Sequence, residues 1–135
     1  MVVSKIRLER INERVKEELA ELLLHSVSDP RLTGVYVTDV RIDRELAYAD
    51  IYVSAIEGQE RSKEILEGLE HAQGFLRREL ARSVELRIFP KLRFHWDPTP
   101  ERAERIEKLL ASLREESSLK DKEINSGKVN DQSSK

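Results

Sequence analysis

The segment from His71 to Trp96, HAQGFLRRELARSVELRIFPKLRFHW, constrains the fold of this chain more than any other. It reads as a bent helix followed at once by a strand with one apolar and one basic face. Side chains in a strand alternate between faces. Here Leu86, Ile88, Pro90, Leu92, Phe94 and Trp96 share one phase, and Arg87, Phe89, Lys91, Arg93 and His95 take the other. One face can enter a core and the other can meet phosphate. Arg77, Arg78 and Arg82 on the helix add cations close to that strand, opposed from Ala72 to Trp96 only by Glu79 and Glu85. The whole chain carries a formal charge of −2, so this basic segment stands out.

The remaining elements follow from periodicity. From about Lys5 to Val27, Leu8, Ile11, Val15, Leu19, Leu22 and Leu23 recur at three- and four-residue steps, which predicts an amphipathic helix with one buried stripe. Ser28, Asp29 and Pro30 stop it, because proline donates no backbone hydrogen bond and pushes its predecessor out of the helical region. Val35 to Asp43 and Ala47 to Ala55 read as an antiparallel hairpin. Val35 and Val37 are out of phase with Val40 and Ile42, and a bulge near Thr38 or Asp39 would reconcile them. A second stripe through Ile65, Leu69, Ala72, Leu76 and Leu80 predicts a helix from about Arg61 to Arg82. Gly74 lies inside it at a cost of about 1 kcal/mol relative to alanine, which points to a bend or a close approach. After the basic strand, Thr99 and Pro100 are suited to start a last helix through Ile106, Leu109, Leu110 and Leu113. The resulting order, helix, strand, strand, bent helix, strand, helix, is that of an α+β domain with three strands and helices on one face.

At 135 residues the chain has room for one domain. The expected division is a folded domain over 1–116 and a disordered tail over 117–135, where the apolar pattern dissolves into Ser, Lys, Asp, Asn and Gly. The absence of cysteine excludes disulfides, thiol catalysis and thiolate-bound metal, and is compatible with a reducing cytosol. No apolar run approaches the roughly 18 residues of a membrane span, and no signal-peptide core is visible, so a soluble cytoplasmic protein is expected. Acidic residues gather between Glu45 and Glu70. One end of the molecule should therefore repel phosphate and another attract it.

No catalytic constellation stands out. The carboxylates of Glu13, Glu17, Glu21, Glu64 and Glu67 fall on solvent faces beside Arg or Lys, the pattern of helical ion pairs. His25, His71 and His95 lie on different elements, without metal-ligand or nucleophile–base spacing. No catalytic residue, metal or cofactor is assigned. A hydrolase would need Asp29, Asp39 or Asp43 to converge in a pocket. Nucleic-acid binding fits better, with Arg77, Arg78, Arg82, Arg87, Lys91 and Arg93 as candidate phosphate contacts and Lys5, Arg7 and Arg10 as a second edge. Phe89 can either stack a base or pack under the last helix. The alternative is a non-enzymatic protein-interaction module acting through a sheet edge or the acidic helix face.

Several motifs together resemble the bacterial ribosome-binding factor A family. They are the first helix with Arg10, Arg14 and Val15, the turn Asp29–Pro30–Arg31–Leu32, the strands VYVTDVRID and AYADIYVSA, the segment Ala72–Gln73–Gly74–Phe75–Leu76–Arg77, and the run from Pro90 to Asp97. The resemblance covers about Lys5 to Leu113. It implies a type II KH-like fold in which Ala72, Gln73 and Gly74 form an interhelical kink in place of the GxxG phosphate clamp. It also implies a monomeric cytoplasmic assembly factor that binds the free 30S ribosomal subunit and 16S rRNA. Such a factor supports late 30S maturation, including 16S rRNA 5′-end processing, and cold adaptation.

Overall fold

Ser4 opens the first helix by accepting a hydrogen bond on its side-chain oxygen from the Arg7 amide at 3.2 Å, which satisfies one of the free N–H groups of the first turn. In the computed structural model, which describes residues 2–133 and the side chains of 2–120, this helix is α1 (Lys5–His25). It is followed by β1 (Val35–Ile42), β2 (Tyr48–Ala55), α2 (Ser62–Ser83), β3 (Lys91–Trp96) and α3 (Thr99–Ser133), with single 3₁₀ turns at Pro30–Leu32 and Gln59–Arg61. The chain divides into two units, Met1–Pro98 and Thr99–Lys135.

In the first unit the strands form one sheet in the order β1-β2-β3, an α+β arrangement. β1 and β2 are antiparallel with a register shift between Val37 and Asp39, where the conflict of hydrophobic phase predicted a bulge. The shift lets Val37 pair with Val53 and Val40 with Ile51, so valines from both halves of β1 serve one face. β3 runs parallel to β2, as a strand reached through a helical crossover must when it joins that edge in this sense. Ile11, Val15, Leu19 and Leu23 of α1 and Ile65, Leu69, Leu76 and Leu80 of α2 pack with Val40, Ile42, Ala49, Ile51, Val53 and Leu92 of the sheet in one core. At the α1 end of that core, Asn12 accepts the Ile42 amide at 3.1 Å and fastens the helix to β1.

The turn between α1 and β1 is clamped by two arginines. Asp29 accepts the Arg31 amide at 2.9 Å and grips the Arg31 guanidinium with both oxygens at 2.6 to 3.1 Å. Those bonds hold the Asp29 carboxyl below its ordinary pKa. Arg61 then donates to the Thr33 and Arg31 carbonyls at 2.5 and 2.8 Å, tying the turn to the start of α2. The clamp seats Leu32 in the core against Gly68, where an added Cβ would lie 3.0 Å from Leu32 Cδ2 and 3.3 Å from Arg31 Cβ.

Two expectations are corrected here. α2 is one continuous helix from Ser62 to Ser83, so Ala72, Gln73 and Gly74 do not separate two helical segments. Nor does Gly74 allow a close approach within the chain, since a Cβ there would meet nothing within 4 Å. The buried stripe on both sides of Gly74, together with Leu, Arg and Ala neighbours, outweighs the roughly 1 kcal/mol helix cost of one glycine. The second correction concerns the strand from Leu86 to Trp96. Only Lys91–Trp96 is strand, and residues 84–90 are irregular. Pro90 has no N–H for a ladder, and Arg77 takes the Phe89 and Pro90 carbonyls.

In the second unit, α3 begins at Thr99 and carries Ile106, Leu109, Leu110 and Leu113 at helical spacing, each exposed. Helical backbone continues through Ser133, across the residue 116 boundary expected from composition. Side chains beyond residue 120 lie outside the described residues.

Candidate nucleic-acid interface

Four chain segments meet at one end of the sheet. The Val3 amide donates to the Arg44 carbonyl at 3.1 Å and Arg44 Nε donates back to the Val3 carbonyl at 3.3 Å, which places the start of α1 beside the β1–β2 connection. The Lys91 amide donates to the Ala47 carbonyl at 3.0 Å and brings the start of β3 there too. The C-terminal half of α2 joins through Arg77, whose Nη2 and Nε reach the Phe89 and Pro90 carbonyls at 2.7 and 3.3 Å. Both predicted cationic edges, the one on α1 and the one from α2 to β3, therefore share this end. Glu57, Glu60, Glu64 and Glu67 fall at or before the first turns of α2, and Arg77, Arg78 and Arg82 near its end, roughly 20 Å or more along the helix axis from most of them.

The predicted cations separate into two kinds. Arg78, Arg87 and Lys91 are exposed and make no ion pair among the described residues, and the same holds for Lys5, Arg7 and Arg10. Arg82 is exposed and only loosely paired with Glu79 at 3.3 Å. Arg77 is half-buried and committed to two backbone carbonyls. Arg93 makes a two-point bond with Asp50 at 2.8 and 2.9 Å, and its guanidinium lies 4.1 Å from the Tyr48 ring centroid. The Arg93 bond is the main reason the Asp50 carboxyl is held below its ordinary value; burial opposes that shift and His95, 2.7 Å away, adds to it.

Phe89 is 5% exposed and belongs to the core, so it is not a stacking surface. Its edge closes a shallow surface hollow of about 410 Å³ with Gly74, Arg77, Arg78 and Ala81. The missing side chain at Gly74 thus leaves bare helix surface one turn from Arg78. Trp96 packs half-buried against the core, with its Nε1 buried.

Sequence reasoning passed over Arg44, whose place beside α1 depends on the hairpin register. It also passed over Arg41, Tyr48 and Tyr52 on the outer face of the sheet, although the alternation of Tyr48, Asp50 and Tyr52 was the available signal. The aspartates considered for hydrolysis do not converge. Asp29 is held by Arg31, Asp39 pairs with Arg41 at 2.9 Å, and Asp43 accepts the Ala47 and Tyr48 amides at 2.9 and 2.7 Å. A cavity of about 780 Å³ lies away from these cations, lined mainly by apolar residues such as Leu23, Val27, Leu32, Val35 and Ile56.

The family model described as ribosome-binding factor A matches residues 7–110. The chain belongs to the ribosome-binding factor A family. Among relatives in this family, ribosome-binding factor A of Hahella chejuensis is 40% identical over 114 residues, covering 80% of this chain and 84% of that protein. The crystal structure of ribosome-binding factor A from Thermus thermophilus superposes with a TM-score of 0.60 at 30% identity, over 66% of this chain and 93% of that one. A homology model of the Thermus thermophilus factor, fitted into a cryo-EM map of a 30S–RbfA complex, superposes with a TM-score of 0.52 at 32% identity, over 62% and 87%.

Proposed function

We propose that this chain is a non-enzymatic assembly factor that binds the free 30S ribosomal subunit, contacting 16S rRNA with the basic end of its first unit. The observation that carries this reading is the cluster of uncommitted cations at one end of the sheet. Arg78, Arg87 and Lys91, with Lys5, Arg7 and Arg10 on α1, are exposed and have no ion pair among the described residues to break before meeting phosphate. Membership of the ribosome-binding factor A family supports the choice of ligand, and so does the placement of a Thermus thermophilus relative in a 30S complex. Arg77 acts by positioning the segment before β3, and the hollow at Gly74 lets an RNA backbone approach α2 beside Arg78. The reading extends to late 30S maturation, including 16S rRNA 5′-end processing, and to cold adaptation by a cytoplasmic monomer.

Co-sedimentation of the purified protein with separated ribosomal subunits tests it. The wild type should travel with free 30S, and Arg78→Glu with Arg87→Glu should weaken that association about tenfold or more with the fold intact. Glu67→Lys is the control, because it alters charge on the acidic part of α2. Equal loss from both variants would favour the protein-interaction reading.

A further inference from the structure

The outer face of the sheet, away from both packed helices, carries a second set of groups that meets the basic end only at Lys91. Register places Tyr48, Asp50 and Tyr52 of β2 beside Lys91, Arg93 and His95 of β3, on the side opposite buried Ala49, Ile51 and Val53. From β1, Arg41 pairs with Asp50 and Asp39 with Tyr52. Rings and guanidinium groups interleave across these rows. Arg93 lies over Tyr48 at 4.1 Å, Arg41 lies 5.3 Å from the Tyr52 centroid, and His95 stacks on Tyr52 with centroids 5.0 Å apart and planes at 29°.

These cations are pinned. Asp50 holds Arg93 through two bonds and Asp39 holds Arg41 Nε at 2.9 Å. Each planar group is oriented before a ligand arrives, so less rotamer freedom remains to be lost on binding. Solvent still reaches them, with the Arg93 side chain 50% exposed and Tyr48 40% exposed. Paired with carboxylates, Arg41 and Arg93 have little net charge to offer a phosphate. What the face presents is flat, polarisable surface, and unpaired nucleobases stack on aromatic rings and guanidinium planes with little dependence on sequence. Lys91, beside Tyr48 in register, is a cation without an ion pair among the described residues at the end of this row.

We propose that the outer sheet face binds an unpaired stretch of RNA by stacking bases on Tyr48, Tyr52 and the pinned guanidinium of Arg93, with Lys91 taking a neighbouring phosphate. The proposal rests on RNA being the ligand, as in the function above, and shares Lys91 with the basic end, but its stacking groups and its interaction are different. Tyr48 and Tyr52 are about 13 Å apart along β2, so they serve separate bases.

The test measures binding of the full chain to fluorescein-labelled decauridylate, and to an abasic oligomer with the same number of phosphates, by anisotropy at low salt. The wild type should prefer the base-bearing oligomer by about tenfold or more. Tyr48→Ala should lose most of that preference and Tyr48→Phe should keep it. Arg93→Lys should lose part of it although the charge is unchanged, because the plane is gone. Equal binding of the two oligomers by wild type would overturn the proposal, as would unchanged discrimination in folded Tyr48→Ala and Arg93→Lys. Should Tyr48→Ala fail to fold, the wild-type comparison decides. Arg78→Glu with Arg87→Glu should retain base discrimination. Loss of 30S binding by that variant therefore bears on the basic end, and absence of base discrimination bears on the sheet face alone.

Discussion

The basic end of the molecule and the outer face of its sheet are both rich in arginine, yet they hold it in opposite ways. At the basic end Arg78 and Arg87 extend from α2 and the loop before β3 without an ion pair among the described residues. On the sheet, Arg93 and Arg41 are each fixed by a carboxylate and laid over a tyrosine. Free guanidinium groups keep their charge for a polyanion and can follow its contour. Pinned ones stay charged but have that charge offset by the adjacent carboxylate, and they have lost rotamer freedom in exchange for a defined plane. Residue type alone does not distinguish the two uses; the neighbouring carboxylate does, Asp50 across the strands for Arg93 and Asp39 on the same strand for Arg41.

Arg77 tests this contrast most severely, because it lies in the free region but is held like the pinned one. Arg77→Ala should remove charged donors from the Phe89 and Pro90 carbonyls and lower stability by about 2 kcal/mol, read by urea denaturation. Arg78→Ala should leave the midpoint unchanged. If both variants behave alike, the division between committed and uncommitted cations fails. Next in size, Gly74→Ala should stabilise the fold by up to about 1 kcal/mol, since its Cβ meets open space in a continuous helix, while weakening 30S association by obstructing the hollow. Gly68→Ala should fall short of that gain because its Cβ presses on Leu32.

Asp50 sharpens the sheet side. Its pKa is depressed in the folded protein, mainly by Arg93, so the pair stabilises the fold fully above the ordinary carboxylate value of 3.8 and loses that contribution as pH falls through the lowered value. Thermal melts of wild type and Asp50→Asn should therefore differ at neutral pH, by well under about 1 kcal/mol given solvent screening, and converge in acid. A gap that widens below pH 4 would contradict the assignment. The smallest expected effect is at the end of the chain, where truncation after Ser117 should leave the thermal midpoint of the first unit unchanged.

Much of this was legible in the sequence because periodicity reports burial. The stripes on α1 and α2, the alternation of β2 and even the bulge near Thr38 follow from which positions must face one core. The failures share a different cause. The helix cost of glycine predicts a structural duty at Gly74, while the glycine with such a duty is Gly68, set by Leu32 from a distant turn. Alternation that continues through Pro90 predicts a strand from Leu86, but the Phe89 and Pro90 carbonyls bond to Arg77 instead of a neighbouring strand. The phase of Ile88 and Phe89 inverts accordingly, with Ile88 74% exposed and Phe89 buried. The candidate cations were visible as a group. Their commitments to Asp50 and to backbone carbonyls depend on tertiary partners that no local pattern encodes.

If uncommitted cations at the basic end carry the interaction with the 30S subunit, that binding must depend strongly on salt. Association constants for wild type and for Arg78→Glu with Arg87→Glu should be measured across a series of potassium chloride concentrations. The wild type should show a steep decline on a log-log scale, and the variant a slope smaller in magnitude by about 2, one unit for each phosphate no longer neutralised by an arginine. A wild-type affinity indifferent to salt, or identical slopes for the two proteins, would contradict it.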